Sequence, residues 1–293
     1  MAEVAVAAER LRPLMFAIAY RMLGSVSEAE DVVQEALLRL HRVEEPIGSL
    51  EAYVTTVTTR LAIDQLRSAR ARREEYVGCW LPEPLVSSAD TADPLAEIER
   101  ADDVSLALLV LLERLSPLER AVFLLREVFG YEYRDIGRVV GKSEANCRQL
   151  LHRAQKHLQE AGHRFDPSAT KRNELSDRFF AACTQGDLPA LEQLLAEDVV
   201  FYADGGGKAT AVRHPIHGRA QVARFVLGLV RHAVTHRWRM ERVLVNSGPG
   251  FWVLDDQGTL VAVLAIDSAA DQVRALYNVL NPDKLRHLSP PPS

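Results

Sequence analysis

The stretch from Leu115 to Leu158 constrains this chain most. Ser116-Pro117-Leu118-Glu119 is Ser-x-x-Glu with Pro in the first helical position, a pattern that satisfies the free N–H groups of a helix start. Val122, Phe123 and Leu125 follow at helical spacing, and Gly130 predicts the stop. Tyr131 to Val140 predicts a second short helix. Gly141-Lys142 predicts a tight turn, and Ser143 an N-cap for a third helix. In that helix Cys147, Leu150, Leu151, Ala154 and Leu158 form one apolar stripe. Asn146, Arg148, Gln149, His152, Arg153 and Lys156 are left facing outward. Two short helices around a glycine turn, the second rich in amides and cations, predict a DNA-binding helix-turn-helix. Base edges need amide and guanidinium groups, and phosphates need cations. The competing reading is two packed helices with a solvated face.

Charge limits how such a module can work. The 293 residues carry a net charge of −5, whereas a self-sufficient DNA binder needs a basic surface. The sequence therefore predicts weak DNA affinity alone and a partner that supplies most of the grip. Length allows two or three small domains, and 47% hydrophobic with 26% charged residues is globular composition. Cys79, Cys147 and Cys183 form no C-x-x-C pair, which argues for a reducing cytosol and against zinc or disulfides. Cys147 sits on the apolar stripe and reads as core rather than as a redox sensor. No signal peptide and no membrane-length apolar run is visible.

Upstream, residues to about Glu9 read as a frayed lead-in. Leu11, Leu14, Met15 and Ile18 predict a first amphipathic helix ended by Gly24-Ser25. Ser27-x-x-Glu30 predicts a capping box opening a helix to about His41. Its inward face is Val33, Ala36, Leu37 and Leu40. Asp31, Gln34, Glu35 and Leu38 face the other way, and an acidic face with an exposed leucine suits a protein partner as well as solvent. After a turn at Pro46 to Ser49, Leu50 to Leu66 predicts a third helix. Its end carries Arg60, Arg67, Arg70, Arg72 and Arg73 against one Asp64, a plausible phosphate track, although cations also favour a helix C-terminus. Some of Thr55, Thr56, Thr58 and Thr59 could reach a DNA strand.

Tyr76 to Asp103 reads as a linker whose prolines and small polar residues exclude a regular element. Within it Trp80-Leu81-Pro82-Glu83-Pro84 is too apolar to leave in solvent, so docking on a groove elsewhere in the chain is predicted. His163 to Thr170 with Pro167 reads as a second linker. Beyond it come helices at Glu174 to Gln185 and Pro189 to Ala196, with Asp187 as N-cap, and a strand at Val199 to Tyr202. The loop Asp204-Gly205-Gly206-Gly207-Lys208 and a helix at Arg219 to Arg231 follow. Strands at Thr235 to Val245, Gly250 to Leu254, Thr259 to Ile266 and Val273 to Val279 complete a curved antiparallel sheet, an α+β domain. Tyr202, Asp204, His217, His236 and Asp267 are candidate acid–base residues without diagnostic spacing. His214-Pro215-Ile216-His217 lacks a third metal ligand. The triple glycine lacks P-loop spacing and reads as a docking loop.

Leu115 to Arg120, Phe129 to Ile136 and Leu150 to Ala154 resemble the promoter-reading C-terminal domain of bacterial sigma factors. Glu132 stands where that family often has Ser or Thr, and Gly137 where it often has Ala, departures predicted to loosen the second helix. Ala29 to Ala36 and Tyr53 to Arg67 resemble the first conserved domain of extracytoplasmic-function sigma factors. Trp80 to Pro84, Asp204 to Lys208 and Asn281-Pro282-Asp283-Lys284-Leu285 together resemble one group of that family with a fused SnoaL-like, cone-shaped domain.

The resemblance implies a multidomain chain of two all-α sigma domains, the second with the helix-turn-helix, followed by an α+β SnoaL-like domain. The segments would be 1–75 (region 2), 76–103 (linker), 104–162 (region 4), 170–285 (SnoaL-like) and 286–293, a disordered tail. Asp31, Gln34, Glu35 and Leu38 would contact core RNA polymerase. Arg60, Asp64, Arg67 and Arg70 would lie near the minus-ten promoter element, and the helix-turn-helix would read the minus-thirty-five element. The linker, triple-glycine and Asn281–Leu285 motifs would regulate the sigma domains in cis. The implied protein is a cytoplasmic transcription-initiation subunit rather than an enzyme. It would be monomeric when free and off the membrane, without metal or cofactor, and with a pocket open to an unnamed small ligand. A free-standing helix-turn-helix regulator, or a SnoaL-like enzyme with a DNA-binding module, are the alternatives.

Overall fold

A computed structural model describes residues 9–43, 47–88, 104–160, 169–269 and 271–288; the side chains of 70–72, 74, 160 and 169–171 are not among those described. The expected lead-in up to residue 8, the linker beyond Ser88, the second linker except Ala169 and Thr170, which fall in a helix, and the end of the tail lie outside these residues. The chain divides into two compact units. One joins Met1–Glu75 to Leu109–His163, and the other joins Tyr76–Leu108 to Arg164–Ser293.

The first unit is helical. Helix α1 (Arg12–Leu23) ends at Gly24, whose φ of 68° lets its N–H return to the Tyr20 carbonyl. Helix α2 (Val26–His41) starts two residues earlier than predicted, because Ser25 and not Ser27 caps it, accepting from the Glu28 amide at 3.2 Å. Glu30 is thereby released from capping and pairs with Arg12 at 2.5 Å. Helix α3 (Leu50–Glu74) is capped by Ser49. Met15, Val33, Ala36, Leu40 and Val54 close the core between the three helices. Thr55, Thr58 and Thr59 are fully buried. With Ala62 they fall at i, i+3, i+4 and i+7, so they face neighbouring helices and not solvent or DNA.

Helix α4 (Leu106–Leu112) leads into α5 (Pro117–Phe123), which opens on the predicted capping box: Glu119 N–H to Ser116 Oγ at 3.3 Å, Ser116 N–H to Glu119 Oε2 at 3.0 Å. A π-helical turn, Leu124–Val128, extends α5 towards Gly130. Helix α6 (Tyr133–Val140) begins two residues later than predicted. Tyr131 is used elsewhere, its hydroxyl 3.0 Å from Thr55 Oγ1 on α3. Glu132 stands at the N-cap of α6 without a side-chain cap hydrogen bond, whereas Gly137 has a packing reason. A Cβ there would lie 2.7 Å from the Lys142 carbonyl oxygen, so the bare backbone admits the turn. Helix α7 (Glu144–Glu160) buries Cys147, Leu150, Leu151, Ala154 and Leu158 as its stripe requires.

Arginines tie the two helical groups of this unit together. Arg60 on α3 donates to the Val139 and Arg138 carbonyls at the end of α6, both at 2.8 Å. Arg120, 1% exposed, donates to the Arg21 carbonyl at 3.0 Å and pairs with Glu113. Arg73 pairs with the same Glu113 and reaches the Leu23 carbonyl at 2.5 Å. Burial pushes the Glu113 carboxyl up, but Arg120 and Arg73 together outweigh this and hold it below the usual carboxylate value.

The second unit carries α8 (Ala169–Gln185), α9 (Leu188–Leu194, capped by Asp187) and α10 (Arg219–Thr235) against a seven-stranded sheet. Its strands are β1 (Val86–Ser88), β2 (Leu195–Asp204), β3 (Ile216–His217), β4 (Arg239–Val245), β5 (Gly248–Leu254), β6 (Leu260–Ala269) and β7 (Gln272–Val279). The order is β1-β4-β5-β6-β7-β2-β3. The sheet is mixed, not wholly antiparallel: β2 and β7 run parallel, with Phe201 opposite Leu276. The chain leaves β2 through β3 and α10 before building the meander, so β2 meets β7 in the same direction. Helix α10 runs four residues past its predicted end, and β4 therefore starts at Arg239 and not Thr235. Against the expectation from its prolines, the linker also contains a strand. Val86 pairs with Val245 and Ser88 with Val243, covering the free edge of β4. Phe179, Leu191, Phe201, Val222, Phe251 and Leu276 anchor the core between helices and sheet.

Candidate functional site

In the second unit the three unusual motifs meet around one carboxylate. Asp204 ends β2 with no exposed surface. Its Oδ1 accepts from the Tyr76 hydroxyl at 2.6 Å and the Gly206 amide at 3.0 Å. Its Oδ2 accepts from the Leu81 amide at 2.8 Å and from Lys284 Nζ at 2.7 Å. Its backbone carbonyl takes the amides of Leu280 and Asn281, both at 2.8 Å. Every lone-pair direction is thus used, the condition under which a buried charge is tolerated.

Lys284 lies on the short helix α11 (Pro282–Leu285), capped by Asn281. Its ammonium also donates to the Leu81 carbonyl and sits 4.1 Å from the centre of the Trp80 ring and 5.0 Å from that of Tyr76. Asn281 Nδ2 donates to the Tyr76 oxygen at 2.8 Å. Leu81, Pro82, Glu83 and Pro84 are buried. His287 Nε2 meets the Pro84 carbonyl at 2.9 Å, and Leu85 exchanges hydrogen bonds with Asn246. Lys208 pairs with Asp283 at the rim. Gly206 has φ 57°, and a Cβ there would lie 2.2 Å from Asn281 Nδ2, so loop and cap approach only through glycine. Burial first, then the neighbouring Asp204, pushes the Tyr76 phenol well up. Tyr76 therefore stays a neutral donor. Burial, then Asp204, also raises the Cys79 thiol.

Tyr76, Leu85, Asn246 and His287 escape the sequence reading. Tyr76 has the only visible signal, an aromatic where helix gives way to linker. The candidate acid–base residues do not assemble. Asp204 is engaged as above, Tyr202 stacks on Tyr277 at 5.4 Å, His217 lies exposed on β3, and His236 bonds the His232 carbonyl at 2.8 Å. Asp267 lies half-buried on β6.

On the first unit Asp31, Gln34 and Leu38 form an exposed face of α2, with Leu38 51% exposed, and Glu35 beside them pairs with Arg39 at 2.8 Å. Asn146, Arg148, Gln149, His152, Arg153 and Lys156 are all exposed on α7. Arg148 pairs with Glu144 at 2.9 Å and lies over the Tyr133 ring, and Arg153 pairs with Glu119 at 3.2 Å. Asp64 and Arg67 are exposed and paired at 2.9 Å. Arg60 and Arg73 do not form an open phosphate track, because both are spent on the carbonyls and carboxylate described above. Arg70 and Arg72 lie outside the described side chains.

A helical unit with an exposed acidic face on α2 and an exposed amide- and cation-rich face on α7, in a chain whose second unit holds its own linker, has the features of a transcription-initiation subunit with an appended domain. Comparison with known proteins agrees. Residues 7–72 match Sigma-70 region 2, residues 105–158 match Sigma-70 region 4, and residues 177–266 match the SnoaL-like domain. The chain is 40% identical over 285 residues to the ECF RNA polymerase sigma factor SigJ of Mycobacterium tuberculosis, covering 94% of this chain and 91% of SigJ. It is 37% identical over 199 residues to the probable ECF RNA polymerase sigma factor SigI of the same species, covering 66% of this chain and 67% of SigI. The crystal structure of M. tuberculosis SigJ superimposes with a TM-score of 0.77 at 37% identity, over 95% of this chain and 96% of that one. The chain belongs to the extracytoplasmic-function RNA polymerase sigma factor family.

Proposed function

We propose that the protein directs core RNA polymerase to a defined set of promoters in the cytoplasm and is regulated in cis by its SnoaL-like domain. Asp31, Gln34, Glu35 and Leu38 seat on polymerase. Leu38 gives the seat apolar area, and the acidic groups give it orientation. Asn146, Arg148 and Gln149 read base edges, His152, Arg153 and Lys156 steady the helix on phosphates, and Arg67 and Arg70 act near the minus-ten element with Asp64. Arg60 joins them only on leaving the α6 carbonyls. Regulation acts through the chain that follows α3. Tyr76 and Trp80 to Pro84 are clamped by Asp204, the triple-glycine loop and Asn281–Leu285, which restrains the tether that carries the sigma regions. No chemical step is assigned.

The buried Asp204–Lys284 pair carries this reading, since a linker held by a desolvated ion pair is held in one place. The test is co-purification with core polymerase followed by run-off transcription. Wild type should bind core and initiate, Leu38→Asp should lose both, and Trp80→Ala should change the output at unchanged core binding. Tight promoter binding without polymerase, and indifference to it when mixed, would favour a free-standing regulator instead.

A further inference from the structure

Tyr133, the first residue of α6, carries two guanidinium groups on its ring. Arg126, in the π-helical turn, and Arg148, near the start of α7, each place the central carbon of the guanidinium 4.9 Å from the ring centre. Arg126 is itself pinned: it donates to the Tyr131 carbonyl at 2.9 Å and pairs with Glu132 at 3.1 Å. Tyr133 is half-buried whereas Arg148 is exposed, so the ring is the fixed member of that pair. Glu144, one turn before Arg148, accepts from its Nη2 at 2.9 Å. The Nε and Nη1 atoms of Arg148 make no hydrogen bond among the described residues. A lone i,i+4 ion pair at the surface holds an arginine weakly, and the ring adds a second contact from another direction.

We propose that Tyr133 is a positioning residue for promoter recognition: its ring, backed by Arg126, acts with the Glu144 carboxylate to hold Arg148 in the conformation that reads its base pair. This rests on the reading of α7 as the helix that meets base edges. The N-terminal residues of a recognition helix are the ones that reach those edges, and Arg148 is the fifth residue of α7. A free arginine side chain gives up rotamer freedom when it pairs with a base. One already laid over a ring and against a carboxylate has given up part of it beforehand, and its unbonded Nε and Nη1 edge faces outward as a preset fork. Tyr133 acts through Arg148 and neutralises no phosphate. Its loss should therefore change which sequence is preferred and leave the salt dependence of binding alone.

Equilibrium binding of the holoenzyme to a promoter from which it initiates, with each base pair of the upstream element replaced singly, tests the role. Arg148→Ala identifies the pair that Arg148 reads. In Tyr133→Leu the preference at that pair should fall about two- to fivefold, the worth of an exposed cation–π contact, with the other pairs and the salt slope unchanged. Tyr133→Phe keeps the ring and should keep the wild-type profile. Glu144→Gln should shift the same pair, and it serves if Tyr133→Leu does not fold. An unchanged preference at that pair in Tyr133→Leu, or in Glu144→Gln where it stands in, would overturn the positioning role. So would an equal fall at every pair, or a Tyr133→Phe profile matching that of Tyr133→Leu. Arg148→Ala without any base-specific effect would overturn the reading of α7 itself, and this role with it.

Discussion

Replacing Lys284 by Met keeps the length and apolar stem of the side chain and removes one charge. In the wild type that charge meets Asp204 at 2.7 Å with exposures of 8% and 0%, so water cannot take over either ion. Breaking a buried pair on one side costs about 3–5 kcal/mol, because the remaining ion is left uncompensated. That is between about a hundredfold and a few thousandfold in an opening equilibrium. The chain has a way to avoid the full cost, since residues 76–88 can let go while the sheet stays folded. The effect should therefore appear first as lost hydrogen-exchange protection at the Leu81 amide, which donates to Asp204 Oδ2. Asp204→Asn should cost a similar amount by stranding the ammonium. The double variant leaves a neutral amide beside a thioether, and its cost should fall short of the sum by about 2 kcal/mol. Unchanged protection at Leu81 in Lys284→Met, or additivity within about 0.5 kcal/mol, would refute the claim that this pair holds the linker.

Gly206→Ala combines a φ of 57° with a Cβ placed 2.2 Å from Asn281; it should cost about 1–3 kcal/mol and speed proteolysis within residues 76–88. Glu113, its carboxyl held below the usual value of 4.5 by Arg120 and Arg73, adds stability that is complete above that value and lost as pH falls through its lower folded pKa. Acid melts of the first unit should show this slope, and Glu113→Gln should flatten it. Leu38→Asp alters a side chain that is 51% exposed, so the melting temperature should hold within a degree or two, corresponding to about 0.5 kcal/mol or less, while core-polymerase capture is lost. Lys156→Ala on the holoenzyme should lower the salt dependence of promoter binding by about one counterion, equally for strong and weak promoters.

Local rules made the helices of the first unit legible. The Ser116–Glu119 box, Gly141 and the Cys147–Leu158 stripe each depend on residues within a turn or two, and each sits where its spacing requires. Errors came where neighbouring choices were nearly equal or where the partner was distant. Ser25 and Ser27 are both acceptable caps, and only the Arg12–Glu30 pair, formed across two helices, separates them. The polarity of β2 against β7 depends on the route through α10, which strand periodicity does not record. The oddity of Trp80 to Pro84 was visible as apolar surface in a polar tether. Its anchor was not, because Asp204 and Lys284 are 80 residues apart and look like any surface pair in sequence. Arg60 and Arg73 misled for the same reason: a guanidinium facing a helix-end carbonyl and one facing a phosphate are spelled alike.

The distribution of arginines gives the net charge of −5 a structural meaning. Arg21 and Arg120 are buried, Arg73 pairs with Glu113, and Arg60, though exposed, is held by two carbonyls, so these four are not laid out to meet phosphate. Three exposed arginines on the proposed DNA faces pair with carboxylates: Arg67 with Asp64, Arg148 with Glu144, and Arg153 with the largely buried Glu119. Exposed pairs of this kind are worth about 0–1 kcal/mol each. A phosphate can displace such a carboxylate, yet the net gain per contact is smaller than a free arginine would give. The reading faces are therefore available but weakly attractive until a partner brings DNA within reach. Under the proposed function a chain built this way would discriminate among promoters while bound to polymerase and spend little time on DNA without it, since Asn146, Arg148 and Gln149 would supply specificity and the affinity would come from elsewhere.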